Sequence, residues 1–219
     1  MPIEAAKRVC APCLAGIDRL REPLCAVCGI PVEADGAWCG RCSAAPPHFG
    51  RARAIAAYRD GVAEDAGVIG SIIRRHKYGL DQSLSRALAE CLGAELPLGD
   101  SDYDLIIPVP LHRSRLRWRG FNQAAMLGAA VARRLARPLD LTNLTRLRAT
   151  PPQTARDRRE RRQNIHNAFA VRRPARVANR SVLLVDDVMT TGATADECAR
   201  MLLRAGARRV DVLTLARVL

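Results

Sequence analysis

Residues 182–194 read VLLVDDVMTTGAT, and the order of residue types in this stretch decides the fold. Val182, Leu183, Leu184 and Val185 form the unbroken apolar run of a strand buried on both faces, as in a parallel sheet. Two acids follow, Asp186 and Asp187, and then a hydroxyl-rich turn made of Thr190, Thr191, Gly192, Ala193 and Thr194. Between residues 195 and 205, Cys198, Met201, Leu202 and Ala205 recur at helical spacing. The turn therefore joins a strand to a helix. In an open α/β sheet, ligands collect beyond the carboxyl end of such a strand, and the unpaired N–H groups that open the helix attract phosphate. Gly192 lets the backbone approach a ligand closely and the threonines add hydroxyl donors, so the stretch implies a site for a sugar phosphate.

The two acids discriminate among phosphate ligands. A Walker-type loop carries a lysine and no acids at this place, and no GxxxxGK[ST] pattern occurs in the chain. Carboxylates directly before a phosphate cradle suit vicinal ribose hydroxyls, or a Mg²⁺ held between those hydroxyls and a pyrophosphate. The plain structural alternative is a strand ending in Asp-Asp with a threonine helix cap. Agreement of the acids, the hydroxyls, the glycine and both flanking elements favours a site. The stretch resembles the phosphoribosyl-pyrophosphate (PRPP) signature of type I phosphoribosyltransferases.

At 219 residues and 48% apolar content the chain can bury one α/β core plus a small appendage. No apolar stretch approaches the roughly 18 residues of a membrane span, and the start MPIEAAKR has no apolar secretory segment. The expectation is a cytoplasmic protein without a membrane span. Basic residues are almost all arginine, with Lys7 and Lys77 the two lysines, a bias that genome composition explains without function. The placement of charge is more informative than its total of +13. Between residues 111 and 180 there are 18 arginines against Asp140, Asp157 and Glu160, a net of +15, so the rest of the chain sums to −2. An arginine-rich region beside a phosphate site suits pyrophosphate, a polyanionic partner or the backbone of a single-stranded nucleic acid. Trp118, Phe121 and Phe169 are the few aromatics interleaved there, which gives thin stacking support and leaves a solvated basic face as an equal reading.

Six of the eight cysteines lie in the first 42 residues as Cys-x-x-Cys pairs at 10/13, 25/28 and 39/42. In a chain read as cytoplasmic, this repeated spacing favours thiolate coordination of Zn²⁺ over disulfides. Cys25, Cys28, Cys39 and Cys42 make C-x₂-C-x₁₀-C-x₂-C, a zinc-ribbon pattern, with Gly29 freeing the turn after Cys28. Four thiolates close the tetrahedron, so this metal is expected to be structural. Cys10 and Cys13 read as a degenerate second ribbon, with competition for the same ion or redox activity as alternatives. His48 is a further candidate ligand, but its place after Pro46 and Pro47 assigns it to a linker. Cys91 and Cys198 sit among helical apolar residues and read as inert core.

From residue 53 onward the pattern becomes α/β. Strands are expected at 54–58, 104–110, near 139–141, at 168–171, at the 182 run and at 210–216. Helices are expected at 61–75, 84–96, from an Asn122 cap to about 136, and after the threonine turn. Alternation of strands and helices implies a mostly parallel sheet. The domain reading is a cysteine-rich zinc ribbon over 1–48 and a ligand-binding α/β domain over 49–219.

Three further segments carry a family resemblance: RRHKYG (74–79), DLIIPVPLHRSRLRWRGFNQA (104–124) and TPPQTARDRRERRQNIHNAFAV (150–171). With the cysteine pairs and the PRPP signature they resemble the ComF family of competence-associated phosphoribosyltransferase-like proteins over nearly the whole chain. The resemblance implies a type I phosphoribosyltransferase fold, a mostly parallel sheet with flanking helices and a hood, preceded by a zinc ribbon. It also implies a role in uptake of single-stranded DNA during natural transformation. Members with two complete ribbons carry four cysteine pairs, whereas this chain has three.

Carried over by position, Asp186 and Asp187 become the catalytic acids that hold the ribose hydroxyls, with Mg²⁺ bridging to pyrophosphate. Thr190, Thr191, Gly192, Ala193 and Thr194 become the 5′-phosphate cradle, and Lys77, with His112 and Arg113 of the loop after the Pro108-Val109-Pro110 strand, the pyrophosphate ligands. Residues 150–162 occupy the place of a loop that closes over the reaction, with Arg158, Arg159, Arg161 and Arg162 available for the departing pyrophosphate. The implied reaction is displacement of pyrophosphate at the ribose anomeric carbon. Thr190 stands where purine-salvage relatives carry an acid, which argues against ordinary purine salvage. No cysteine follows Met1, so no amidotransferase nucleophile is in place. Three functions stay open: a phosphoribosyltransferase with an unidentified acceptor, a catalytically silent PRPP- or single-stranded-DNA-binding competence module whose zinc domain docks a DNA-uptake ATPase, and a PRPP-sensing regulator. The last is disfavoured because no helix-turn-helix segment is visible.

Overall fold

The computed structural model describes residues 15–58, 69, 70, 73, 96–98, 102–149 and 164–219. Its strands are β1 (Ala52–Tyr58), β2 (Leu105–Pro108), β3 (Leu144–Arg146), β4 (Phe169–Val171), β5 (Ser181–Met189) and β6 (Arg209–Val218). The helices are α1 (Gly40–Ala44), α2 (Arg113–Arg119), α3 (Gln123–Leu135) and α4 (Ala193–Arg204), with a 3₁₀ turn at Pro174–Arg176. Four strands form a sheet in the order β1-β6-β5-β2 in which every neighbouring pair is parallel. β3 and β4 form a separate antiparallel pair.

The position of β5 explains its apolar run. Flanked by β2 and β6, it buries Val182 and Leu184 in the layer that holds Cys198 and Leu202 of α4, and Leu183 and Val185 in the layer that holds Leu127 and Val131 of α3. A strand covered on both faces cannot alternate with polar residues. Asn122 caps α3 as expected: its Oδ1 accepts the Ala124 N–H at 3.1 Å, and its Nδ2 donates to the Val109 carbonyl at 3.0 Å, which ties the helix start to the exit of β2.

Three local expectations change. β5 continues past its apolar residues to Met189, because β6 is long enough to pair with it beyond Asp186, at Val188 with Ala216 and Met189 with Arg217. Both acids therefore lie within the strand. The strand near 139–141 shrinks to a single bridge between Leu139 and Ile106. There the Asp140 carboxylate accepts the N–H groups of Thr142 and Asn143, each at 3.0 Å, and turns the chain away from the sheet. The stretch after β2, expected as a loop, contains α2, with His112 as its N-cap.

The cysteine-rich segment is built onto the sheet. Ala52 donates to the Val27 carbonyl at 2.6 Å, and residues 18–20 pair antiparallel with β1 through Leu20 N–H to Ile55 O at 3.0 Å and Ala57 N–H to Asp18 O at 2.8 Å. This pairing covers what would otherwise be the open edge of β1. Cys25, Cys28 and Cys42 lie in the same apolar layer as Leu184, Met189 and Cys198. Residues 69, 70 and 73 are helical, in keeping with the helix expected there. Cys10, Cys13, Lys77, Cys91, most of the two helices expected at 61–75 and 84–96, and the loop at 150–162 lie outside the described residues. Among the described residues no helix is long and apolar enough to cross a membrane.

Candidate functional site: the phosphate turn and the cysteine cluster

The turn after β5 opens α4 on a left-handed glycine. Gly192 caps α4 with φ 82°, in the left-handed region, and a Cβ at this position would lie 2.8 Å from the Met189 methyl carbon. Only glycine meets both conditions without strain. No side chain caps the start of this twelve-residue helix at Gly192; the Ala193 N–H meets Thr191 Oγ1 at 3.3 Å. Thr190 is exposed, Thr191 and Thr194 are half-buried, and Gly192 and Ala193 are buried. Asp186 and Asp187 are half-buried at the carboxyl end of β5; Oδ1 of each accepts the next backbone N–H, at 2.9 Å and 2.7 Å, which fixes their orientation. The structure thus brings the acids and the threonine turn to one end of the central strand.

The expected pyrophosphate ligands are placed less directly. His112 turns its Nδ1 inward to Ser114, 2.7 Å from Oγ, in capping α2. Arg113 is exposed and, with Leu116, Asn122, Leu141, Arg146 and Arg172, lines a cleft of about 660 Å³ between the end of β2 and the β3–β4 pair. Arg146 was not singled out by the sequence. Its guanidinium lies 5.4 Å from the centre of the Phe169 ring, and its pKa is lowered by burial and by Arg115, against the attraction of Cys198 and Asp186. Nothing in an arginine-rich sequence separated it from its neighbours.

A second anchor fixes the other side of α4. Glu197, 6% exposed, takes the Arg200 fork at 2.8 Å and 2.6 Å and the Asn167 N–H at 2.7 Å. Burial raises its carboxyl pKa, but Arg200 and the Asn167 N–H outweigh burial and hold it below the usual range. The chain entering β4 is thereby held to α4. Cys198, one residue on, is fully buried and its thiol pKa is pushed well up by burial, in keeping with inert core.

The four ribbon cysteines converge. The Sγ atoms of Cys25, Cys28, Cys39 and Cys42 all lie within 4.8 Å of one another, and Cys28 and Cys39 approach to 3.6 Å. A tetrahedral Zn²⁺ with Zn–S bonds near 2.3 Å needs sulfurs about 3.8 Å apart, so the residues fit a closed structural zinc site. Burial raises the Cys25 thiol pKa, but backbone N–H groups of Cys28, Cys39 and Val27 bring it down to about 6. Burial raises the pKa of Cys28 and Cys42. Gly29 closes the first knuckle at φ 68°, and a Cβ there would strike the Ala52 carbonyl oxygen at 2.6 Å. His48 is not a ligand: its N–H and Nδ1 both contact Asp196 Oδ1, at 2.6 Å and 2.8 Å, so the linker is tied to the first turn of α4.

Two buried arginines reach into the cysteine cluster from the sheet. Arg53 on β1, 9% exposed, donates to the carbonyls of Cys25 at 3.2 Å, Ala26 at 3.4 Å and Ala52 at 2.9 Å. Arg217 on β6, 2% exposed, donates to the Cys28 carbonyl at 3.4 Å, to the Met189 carbonyl at 3.0 Å and to the Thr190 carbonyl. Arg53 is the one charged residue of β1, which was an available signal, whereas β6 also carries Arg209 and Asp211, so nothing in its sequence set Arg217 apart.

A parallel β/α core with this turn, joined to a tetrathiolate ribbon, defines a phosphoribosyltransferase-type domain with a structural zinc module. Residues 122–219 match the family described as phosphoribosyl transferase domain, and residues 1–43 match the double zinc ribbon domain. The chain is 36% identical over 216 residues to the DNA utilization protein YhgH of Escherichia coli O157:H7, covering 96% of this chain and 91% of that one. It is 31% identical to competence protein F of Haemophilus influenzae, over 97% of this chain and 92% of that one, and 25% identical to competence protein ComFC of Bacillus subtilis, over 96% and 85%. The chain belongs to the ComF family of competence-associated, phosphoribosyltransferase-like proteins.

Proposed function

We propose that this protein binds PRPP with Mg²⁺ at the carboxyl end of β5 and acts in the handling of DNA taken up by the cell. The observation that carries the binding reading is the conjunction of Asp186 and Asp187 at the end of a central parallel strand with the uncapped helix start at Gly192. Backbone N–H groups of residues 190–194 and the threonine hydroxyls hold the 5′-phosphate, where the helix dipole also favours negative charge. The two carboxylates hold the ribose hydroxyls. Bound Mg²⁺ supplies charge neutralisation on the pyrophosphate. His112, Arg113 and Lys77 add donors for the same pyrophosphate, and Arg146 balances the first acid. Zn²⁺ at Cys25, Cys28, Cys39 and Cys42 keeps the ribbon folded.

The reaction such a site is arranged for is displacement of pyrophosphate at the ribose anomeric carbon by an acceptor nucleophile, whose bond to that carbon replaces the C–O bond to pyrophosphate, with arginines stabilising the leaving charge. The DNA-handling part rests on the names of the relatives, a DNA utilization protein and two competence proteins. One surface favours direct contact with single-stranded DNA: on α2, Arg113 and Arg117 are exposed beside Trp118, which is 67% exposed and available for stacking.

Calorimetric titration with PRPP in the presence of Mg²⁺ tests the binding reading. Wild type should bind, and Asp186→Ala/Asp187→Ala should not; a double variant that binds as tightly as wild type refutes the site. For DNA, the affinity for a single strand should fall with salt at roughly −0.7 in log–log slope per phosphate neutralised, and Arg115→Ala/Arg117→Ala should flatten that slope. No binding at low salt removes direct DNA contact and leaves the role to a protein partner such as an uptake ATPase.

A further inference from the structure

The zinc ribbon and the phosphate turn share one buried side chain. Arg217 lies at the end of β6, and its guanidinium stands between two loops that the sequence keeps far apart. Nε donates to the carbonyl of Cys28, the second cysteine of the first knuckle, while Nη1 donates to the carbonyls of Met189 and Thr190, where β5 becomes the phosphate turn. Among the described residues no acidic side chain forms a salt bridge with it. A buried cation without a counter-charge is costly. Four thiolates around a divalent ion would carry a net negative charge, and the Arg217 fork reaches the carbonyl of one of those four residues, Cys28. The remaining space is small: a cavity of about 20 Å³ separates Cys28, Cys42 and Arg41 on the ribbon side from Thr191, Gly192 and Asp196 on the phosphate side, with Arg217 and Phe49 in its wall.

We propose that Arg217 is a positioning residue that couples the zinc knuckle to the phosphate turn, so that occupancy of the cysteine cluster and binding of a phosphate ligand at residues 190–194 strengthen each other. The proposal rests on the PRPP reading of the turn. The physical reason is that one rigid fork fixes carbonyls on both sides at once. When the knuckle is closed, Arg217 is held in place and the peptide units of Met189 and Thr190 are aimed, which orients the N–H groups that follow. When the knuckle opens, the fork loses both its backbone acceptor and the negative charge behind it, and the turn loses its clamp. Arg53 makes the contrast: its donors reach knuckle carbonyls and β1, with Glu22 Oε1 4.0 Å from its Nε, and none of these partners lies in the turn after β5.

Coupling between two binding equilibria is reciprocal, and usual values are about 5–150-fold. The experiment measures zinc affinity of the full chain by equilibrium competition with a chelator, with and without saturating Mg²⁺ and PRPP, checking the fold by circular dichroism. Wild type should hold zinc at least about fivefold more tightly with PRPP present. Arg217→Lys, which keeps the charge and loses the fork, should still bind each ligand while the coupling collapses to within about twofold of none. Arg53→Lys should weaken zinc binding and keep the coupling. PRPP binding to wild type with no change in zinc affinity overturns the proposal, as does full coupling in Arg217→Lys. If Arg217→Lys does not fold, Asp196→Ala cuts the parallel His48 tether: retained coupling assigns it to Arg217, and lost coupling assigns it to the linker and overturns the proposal. If wild type binds no PRPP, the PRPP reading fails separately, and hydrogen exchange decides the coupling. Zinc removal should then speed exchange in the peptide covering residues 188–194, and unchanged exchange there overturns the proposal.

Discussion

Glu197→Gln should destabilise the protein in a way that pH reveals. The wild-type carboxylate, 6% exposed, receives two donors from Arg200, which is 15% exposed, and one from the Asn167 backbone, and His166 Nδ1 lies 3.8 Å away. Glutamine keeps an acceptor for Asn167 but turns an amide N–H₂ against the guanidinium, so at least one charge-assisted contact is lost. Hydrogen bonds to charged groups contribute about 1.5–3 kcal/mol each, and Arg200 can recover part of its loss by turning to water, which leaves a cost of about 2–3 kcal/mol. For a chain of this size that corresponds to a fall in Tm of about 5–10 °C at neutral pH. The sign with pH follows from the depressed pKa of Glu197: its contribution is complete above its ordinary value of 4.5 and is lost as pH falls through the lower value in the folded state. Thermal denaturation followed by circular dichroism, repeated from neutral pH into acid, should therefore show the two proteins converging as the carboxylate takes up its proton. A Tm difference under about 1 °C at neutral pH, or a difference that persists unchanged into acid, refutes the reasoning.

Elemental analysis should find Zn²⁺ in the purified protein, and Cys25→Ser or Cys39→Ser should release the ion at that cluster; full retention of zinc in both variants refutes the ligand set. Gly192→Val should weaken PRPP binding at least about tenfold, because a β-branched residue at φ 82° is strained by about 1–2 kcal/mol and its Cβ displaces Met189, 2.8 Å away. Titration that gives an unchanged affinity refutes the role of the turn. Cys198→Ala, by contrast, should lower Tm and leave PRPP affinity alone, since that side chain is fully buried on the inner face of α4; a loss of affinity without loss of stability is the opposing result.

The sequence alone determined the elements and their chemistry wherever a local pattern carried the information. The apolar run at 182–185 announced a strand covered on both faces, Asn122 announced a helix cap, and the C-x₂-C-x₁₀-C-x₂-C spacing brought four sulfurs to one point. Each of these follows from residues close together in the chain. What failed locally was decided by partners elsewhere: β5 outlasts its apolar residues because β6 continues beside it, and the strand near 139 gives way to a turn that the Asp140 carboxylate holds. The arginines divide the same way. The sequence placed 18 of them between residues 111 and 180, yet the two that are buried among the described residues, Arg53 and Arg217, lie outside that region. Their roles depend on carbonyls 28 and 189 residues away, which only parallel pairing of β1 and β6 and the packing of the ribbon against the sheet bring within reach. Identity of side chain is local information, whereas a buried donor acquires its meaning from the acceptors that tertiary structure sets around it.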